Sequence, residues 1–182
     1  MASELRYERT ECERRFLVGP GTAWQSFRRP YCKLLSDRYL KGSRLRLRVM
    51  VDMPEQRIVY KLNKKAASDS PYCRTMSRIL LAEHEYGLMA SLPADILTKT
   101  RHYVDYNGRT GIASVDVFEG HLAGLVLCEI EAGNLLDLMA MPVPSFVIRD
   151  VTEDPFFDGS NLCRTKTAEL HSRLELLRAH GS

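Results

Sequence analysis

Residues 44–49 read Arg44-Leu45-Arg46-Leu47-Arg48-Val49, base and aliphatic side chain in strict alternation. Side chains along a strand point to opposite faces in turn, so this stretch sets three guanidinium groups on one face and three aliphatic groups on the other. The same period of two recurs on both sides of it. Glu11, Glu13 and Arg15 share a face against Cys12, Arg14 and Phe16. Lys61 lies with Val59 and Arg57 against Ile58, Tyr60 and Leu62, and Lys99 lies with Arg101. Asp116 opposes Val115 and Val117, and Glu129 and Glu131 oppose Cys128 and Ile130. A sheet with one face in water also alternates, but its polar face mixes uncharged groups and both signs of charge. Here Arg, Lys, Glu and Asp are concentrated, with like charges at successive positions of one face, where they repel. Charged faces turned inward, toward a common cavity, account for that pattern.

Working outward, strand-like runs fall at 9–18, 31–40, 43–52, 56–62, 73–81, 96–106, 111–119 and 124–132. Turn signals separate them at Gly19-Pro20-Gly21, Lys41-Gly42, Met53-Pro54-Glu55-Gln56 and Asn107-Gly108, the last a strong hairpin signal. Helices are expected at 22–28, 83–91, 133–140 and 165–179; in the last, Leu170, Leu174 and Leu177 recur at helical spacing. The fold class is therefore α+β: an eight-stranded antiparallel closed β-barrel, which leaves no free edge, with helices packed outside. At 182 residues the chain makes one domain, 1–182, with the barrel over about 9–132 and a C-terminal segment and helix over 133–180.

The net charge of +3 is too small for a nucleic-acid surface, and no apolar run reaches the roughly 20 residues of a spanning helix. The opening residues 1–9 lack the apolar stretch of a secretion signal, so a cytoplasmic location is expected. The five cysteines, Cys12, Cys32, Cys73, Cys128 and Cys163, are dispersed without a C-x-x-C pair. They are read as free thiols, with neither a disulfide framework nor a zinc site. Glu83 and Glu85 are read as the acidic first turn of a helix, His102 as an exterior residue, and Trp24 with Phe27 as sealing a covering helix onto the barrel.

Burying so much charge costs several kcal/mol per ion unless it is compensated. The carboxylates Glu11, Glu13, Asp116, Glu129 and Glu131 suit a hard divalent cation such as Mg²⁺ or Mn²⁺. The bases Arg15, Arg44, Arg46, Arg48, Lys61, Lys99 and Arg101 suit phosphate oxygens. At this point the residues resemble a known family. Glu11-Cys12-Glu13-Arg14-Arg15 is similar to the Glu-x-Glu-x-Lys signature that opens the CYTH, or triphosphate tunnel metalloenzyme, superfamily. Tyr39-Leu40, Arg44 to Arg48, Tyr60-Lys61-Leu62, Lys99 to Tyr103, Val115 to Gly120, Leu122 to Leu125, Cys128 to Glu131 and Val151 to Asp154 follow in the family's order, over roughly residues 9–168.

The resemblance implies a tunnel binding triphosphate compounds with divalent metal, and most closely an inorganic triphosphatase that splits tripolyphosphate into pyrophosphate and phosphate. It implies metal association for Glu11, Glu13, Asp116, Glu129 and Glu131, and phosphate binding by Arg44, Arg46, Arg48, Lys61, Lys99 and Arg101, with Tyr39 bonding a phosphate or shaping the tunnel mouth. Glu11, Glu13, Arg15 and Glu129 are the residues expected to act in catalysis. The expected partner is a triphosphate-containing small molecule, with neither nucleic acid nor membrane; a homodimer is left open. Other activities of the family (nucleotide or thiamine triphosphatase, adenylyl cyclase, polyphosphate binding without turnover) remain alternatives. Two departures stand out. Arg15 replaces the signature lysine, and the strand after Lys61 carries Arg74 and Arg78 where many relatives place acids.

Overall fold

A computed structural model of the chain describes residues 7–21, 23–66, 68, 70–106 and 111–179. Nine strands form among the described residues: β1 (Glu8–Val18), β2 (Arg28–Leu40), β3 (Leu45–Met53), β4 (Arg57–Lys65), β5 (Cys73–Leu81), β6 (Ala94–Tyr106), β7 (Gly111–Phe118), β8 (Val126–Ala132) and β9 (Val147–Asp150). They pair antiparallel in the order β5-β4-β3-β2-β6-β7-β8-β1, and β1 pairs again with β5, closing an eight-stranded barrel. Eight expected strands are found, and 73–81 matches to the residue. The ninth, β9, lies alongside Phe16–Val18 at the end of β1 that β5 does not reach. At four residues it is too short to show a period in sequence. The turn expected at Asn107-Gly108 falls outside the described residues; β6 and β7 pair up to Tyr106 opposite Gly111.

Alternation sorts each strand into an inner and an outer face, and the outer face holds one core. Cys12, Val18, Val104, Val115, Cys128 and Ile130 are buried there under Trp24, Phe146 and Leu138. Leu138 belongs to α2 (Leu135–Ala140), whose first turn is capped by Asn134 accepting from the backbone N–H of Asp137 at 2.9 Å. The segment holding Trp24 is a 3₁₀ turn, Ala23–Phe27, and Trp24 packs on His102, 5.4 Å between ring centres, so His102 lies outside the barrel as expected. Phe27 is exposed and stacks on Phe146.

The second core fills one end of the interior. Leu17, Leu97, Phe118 and Leu127 point inward and meet Val151, Phe157, Leu162, Leu170 and Leu174 from the C-terminal segment. That segment comprises α3 (Gly159–Leu162) and α4 (Thr167–Ala179), and the helical spacing of Leu170 and Leu174 puts both on the buried stripe. The barrel is thus floored by its own C-terminus. On the β2–β5 side the expected helical cover is partial. In α1 (Glu83–Ala90) the carboxylate of Glu85 accepts from the N–H of Ala82 at 2.7 Å, and Tyr86 rests on Tyr60. Leu34, Ile58, Ile79 and Ile96 stay exposed. No helix among the described residues is long and apolar enough to cross a membrane.

The reading of five free thiols is corrected: Cys12 and Cys73 form a disulfide. They stand directly opposite each other in the β1–β5 ladder, with Cα atoms 4.1 Å apart. Sixty-one residues separate them in sequence, so spacing alone carries no sign of the pair. Cys32, Cys128 and Cys163 are free.

Candidate active site

Above the apolar floor the interior opens into a cavity of about 220 Å³. Ten cations line it: Arg9 and Arg15 from β1, Lys33 from β2, Arg46 and Arg48 from β3, Lys61 and Lys65 from β4, Arg78 from β5, and Lys99 and Arg101 from β6. Five carboxylates join them: Glu11 and Glu13 from β1, Asp37 from β2, and Glu129 and Glu131 from β8. The wall therefore carries an excess of five positive charges, the opposite of what a cavity built for cations alone would show.

The carboxylates do three different jobs. Asp116 is fully buried behind the wall. It accepts from Lys99 and, at 2.6 and 2.7 Å, from the guanidinium of Arg101. Burial alone would push its carboxyl up, but Arg101 and Lys99 outweigh burial and hold it below the usual carboxylate range. Asp37 holds Arg48 through two bonds of 2.6 Å and lies 3.8 Å from Arg46. There too burial is overcome, by Arg48 and then Arg46, and the carboxyl stays ionised. These two acids fix the planes of arginine forks that then face the cavity. Glu11 accepts from Arg9 and, at 3.0 Å, from Arg78.

The third group is a cluster. Carboxylate oxygens of Glu13, Glu129 and Glu131 lie within 4.8 Å of one another. Glu129 is held well below the carboxylate range, since Arg101, Lys99 and Arg15 outweigh its burial. Glu131 lines the cavity and is exposed, yet the surrounding groups partly shield it from water. That shielding, and next the charge of Glu129, raise its carboxyl. Three convergent acid groups, one of them reluctant to ionise, are a donor set that a hard divalent cation would relieve.

Arg15 ties this cluster to the floor. Its guanidinium donates to Glu13 at 2.8 Å, to Glu129 at 3.2 Å, to the backbone oxygen of Phe157 at 3.0 Å and to Asp158 at 3.2 Å. A lysine, with three donors on one atom, could not span these four acceptors, so the arginine at the signature position has a specific local reason. Lys61 is the contrasting case. Among the described residues its only hydrogen-bond partner is the sulfur of Met50, 3.7 Å away. Burial, followed by the charges of Arg78, Arg48, Lys33 and Arg9, pushes its ammonium down to about 8.

No protein-family model and no curated protein matches the chain in sequence. Solved structures do match in shape. The inorganic triphosphatase NE1496 aligns over 85% of this chain and 95% of its own, with a TM-score of 0.54 at 21% identity. A Bacillus halodurans protein described as a candidate adenylate cyclase aligns over 73% of this chain and 86% of its own (TM-score 0.51, 16% identity). HpAC1 from Hippeastrum, a candidate adenylyl cyclase described as having a dominant triphosphatase activity, covers 90% and 95% (TM-score 0.50, 10% identity). The chain shares the closed eight-stranded barrel fold of these structures.

Within this tunnel lie Glu11, Glu13, Arg15, Tyr39, Arg46, Arg48, Lys61, Lys99, Arg101, Glu129 and Glu131. Asp116 stands just behind its wall, engaged by Lys99 and Arg101. Arg44 does not line it: the strand begins one residue later, and Arg44 sits in the exposed bend before β3. Sequence reasoning passed over Arg9, Lys33, Asp37, Lys65 and Arg78, all in the tunnel wall. The signal for Lys33 and Asp37 was their shared parity with Tyr39, interrupted by Leu35 on the same face. Lys65 extends the face of Lys61 beyond the expected strand end, and Arg78 shares parity with Arg74. Asp158 comes from the C-terminal segment and had no periodic signal.

Proposed function

We propose that this chain hydrolyses triphosphate compounds in the tunnel, with inorganic tripolyphosphate as the first substrate to consider. One observation carries the reading: cations from six strands and acids from three converge on one partly open cavity with a strong positive excess. Its volume of about 220 Å³ lies below the roughly 300–1,000 Å³ of pockets for drug-sized ligands, which favours a compact polyanion. The descriptions of NE1496 and HpAC1 as triphosphatases point the same way.

Phosphoryl transfer asks of a protein mainly alignment and charge neutralisation. Arg46, Arg48, Lys61 and Arg78 form one basic wall; Arg15, Lys99 and Arg101 form the facing one. Because Asp37 and Asp116 hold the forks in place, little reorganisation is needed as negative charge develops on a leaving phosphate. Lys61, without a carboxylate partner, is free to donate to a phosphate oxygen. Glu13, Glu129 and Glu131 would hold Mg²⁺ or Mn²⁺, which when bound supplies further charge neutralisation and makes water more acidic. Arg15 keeps Glu13 and Glu129 oriented toward that position, and Leu97, Phe118, Leu127 and Phe157 close the β6-β7-β8-β1 side of the floored end with apolar groups.

The purified protein, given tripolyphosphate, ATP or thiamine triphosphate with Mg²⁺ or Mn²⁺, is expected to release phosphate, fastest from tripolyphosphate. No release faster than that of a Glu13→Gln variant sinks the proposal. Cyclic AMP from ATP would replace it with a cyclase, and tight binding without turnover would replace it with a binding module.

A further inference from the structure

The C-terminal segment grips Arg15 at both ends of the residue. The backbone N–H of Arg15 donates to the hydroxyl of Thr152 at 2.9 Å, and its backbone oxygen accepts from the N–H of Val151 at 2.8 Å. Asp150 fixes Thr152 in turn, accepting from its backbone N–H at 2.9 Å and from its hydroxyl. At the other end, one guanidinium nitrogen, Nη1, donates both to the backbone oxygen of Phe157 and to the carboxylate of Asp158. The remaining two, Nε and Nη2, go to Glu129 and Glu13. One planar fork therefore joins two of the three convergent acids to residues 157–158.

Asp158 stands at the N-cap of α3, where an aspartate ordinarily turns its carboxylate back onto the first N–H groups of the helix. It makes no such bond. Asp154, earlier in the same segment, does cap its own short turn, accepting from the N–H of Phe156 at 3.0 Å. The carboxylate of Asp158 is turned instead to Arg15 at 3.2 Å and to Arg74 at 3.5 Å. Its backbone oxygen, not its side chain, accepts from Asn161 and Leu162 at 2.8 and 2.9 Å and holds the local turn. The side chain is thus spent on the guanidinium that reaches the acid cluster, although Asp158 itself lies outside the tunnel lining.

We propose that Asp158 is a positioning residue for the metal-binding acids, acting through Arg15. It anchors Nη1 and shares the guanidinium charge, so that Glu13 and Glu129 keep oxygens open to a divalent cation. The inference rests on the reading of Glu13, Glu129 and Glu131 as metal ligands and deepens it, by naming the residue of the C-terminal segment that sets their strength. Arg15 and a divalent cation compete for the same two carboxylates. With Asp158 neutral, Arg15 keeps only the Phe157 oxygen beyond the cluster, and its charge settles on Glu13 and Glu129 at the cation's expense.

The test measures Mn²⁺ binding to the full chain by calorimetry, without substrate, for the wild type, Asp158→Asn, Arg15→Lys and the double variant. Asp158→Asn is expected to weaken Mn²⁺ binding roughly tenfold, the size of one charge-assisted hydrogen bond. The Mn²⁺ concentration that half-activates phosphate release should rise by the same factor. In the Arg15→Lys background, where the link to Asp158 is already cut, the same substitution should change Mn²⁺ binding by no more than about twofold. Asp158→Ser, uncharged and equally suited to an N-cap, repeats the measurement in case the amide disturbs the segment. Wild-type affinity in both Asp158 variants, or an equal loss with and without Arg15, overturns the proposal while the triphosphatase reading stands. A lower melting temperature with unchanged Mn²⁺ binding also overturns it and leaves Asp158 a structural anchor. A wild type that binds no Mn²⁺ overturns it as well. The expected pattern of Mn²⁺ binding without any phosphate release would remove the hydrolase reading and keep this one.

Discussion

Lys61 offers a direct measure of whether the tunnel is built for a polyanion. Arg78, Arg48, Lys33 and Arg9 face it from β5, β3, β2 and β1, while the nearby acids Glu11, Asp37 and Asp52 are each held by arginine or lysine. With an ammonium at about 8, the group is about half protonated in the empty tunnel at pH 8. A bound polyphosphate reverses the field and restores the proton, so binding at pH 8 should take up about half a proton per ligand at this site. Above that pH the proton must be acquired on binding, and affinity should fall by about tenfold per pH unit relative to a protein whose cation cannot titrate. Lys61→Arg is that protein, since a guanidinium stays charged throughout. The assay is metal-free calorimetry of tripolyphosphate binding across pH 7–9.5 (about one unit below to well above the shifted value), in buffers of different ionisation heat. The ligand's own protonation is common to wild type and variant and cancels in the comparison. Equal pH slopes for wild type and Lys61→Arg, or no difference in proton uptake between them, would refute the reasoning.

Three further outcomes follow from the same geometry. Asp116→Asn leaves Lys99 buried without its counter-ion and Arg101 with Glu129 alone, and should cost about 3–5 kcal/mol in urea denaturation; a loss under about 1 kcal/mol would mean the pair is solvated. Because the Asp116 carboxyl is lowered on folding, its contribution is present above the ordinary carboxylate range and lost as pH falls through the lowered value, so the variant should lose less stability than the wild type on acidification. Arg15→Lys, which restores the signature residue, should lose the bonds to Phe157 and Asp158 and lower stability by about 1.5–3 kcal/mol; unchanged melting would show that the guanidinium does not anchor the floor. Reducing the Cys12–Cys73 bond, or replacing both residues by serine, opens a long loop and should cost about 4 kcal/mol by chain entropy, read as a lower melting temperature in reductant; identical melting with and without reductant would count against the bond.

The barrel was legible because its signal is local: a period of two with charge on one face, repeated in strand after strand. Arg46, Arg48, Lys61, Lys99, Arg101, Glu11, Glu13, Glu129 and Glu131 all follow from parity alone. What parity cannot say is which acid meets which base. Asp116 reads in sequence like Glu129, yet it lies behind the wall holding two cations, because β7 sits directly beside β6 and brings Arg101 opposite it. The disulfide, β9 and the contact of Arg15 with residues 157–158 depend on pairings across 61 to more than 130 residues, and nothing near either partner announces them.

The seam between β1 and β8 joins segments more than one hundred residues apart, and Arg15 and Glu129 meet across it. Contacts so distant in sequence form late and slowly, because chain entropy must be surrendered before any of them is rewarded. Until that zip completes, the acidic trio is divided between two unjoined strands, Glu13 on β1 and Glu129 and Glu131 on β8, and the barrel that brings them to the basic walls is not closed. Recovery of anion binding during refolding and joining of the seam should therefore be one kinetic event, with no half-built precursor able to hold a ligand.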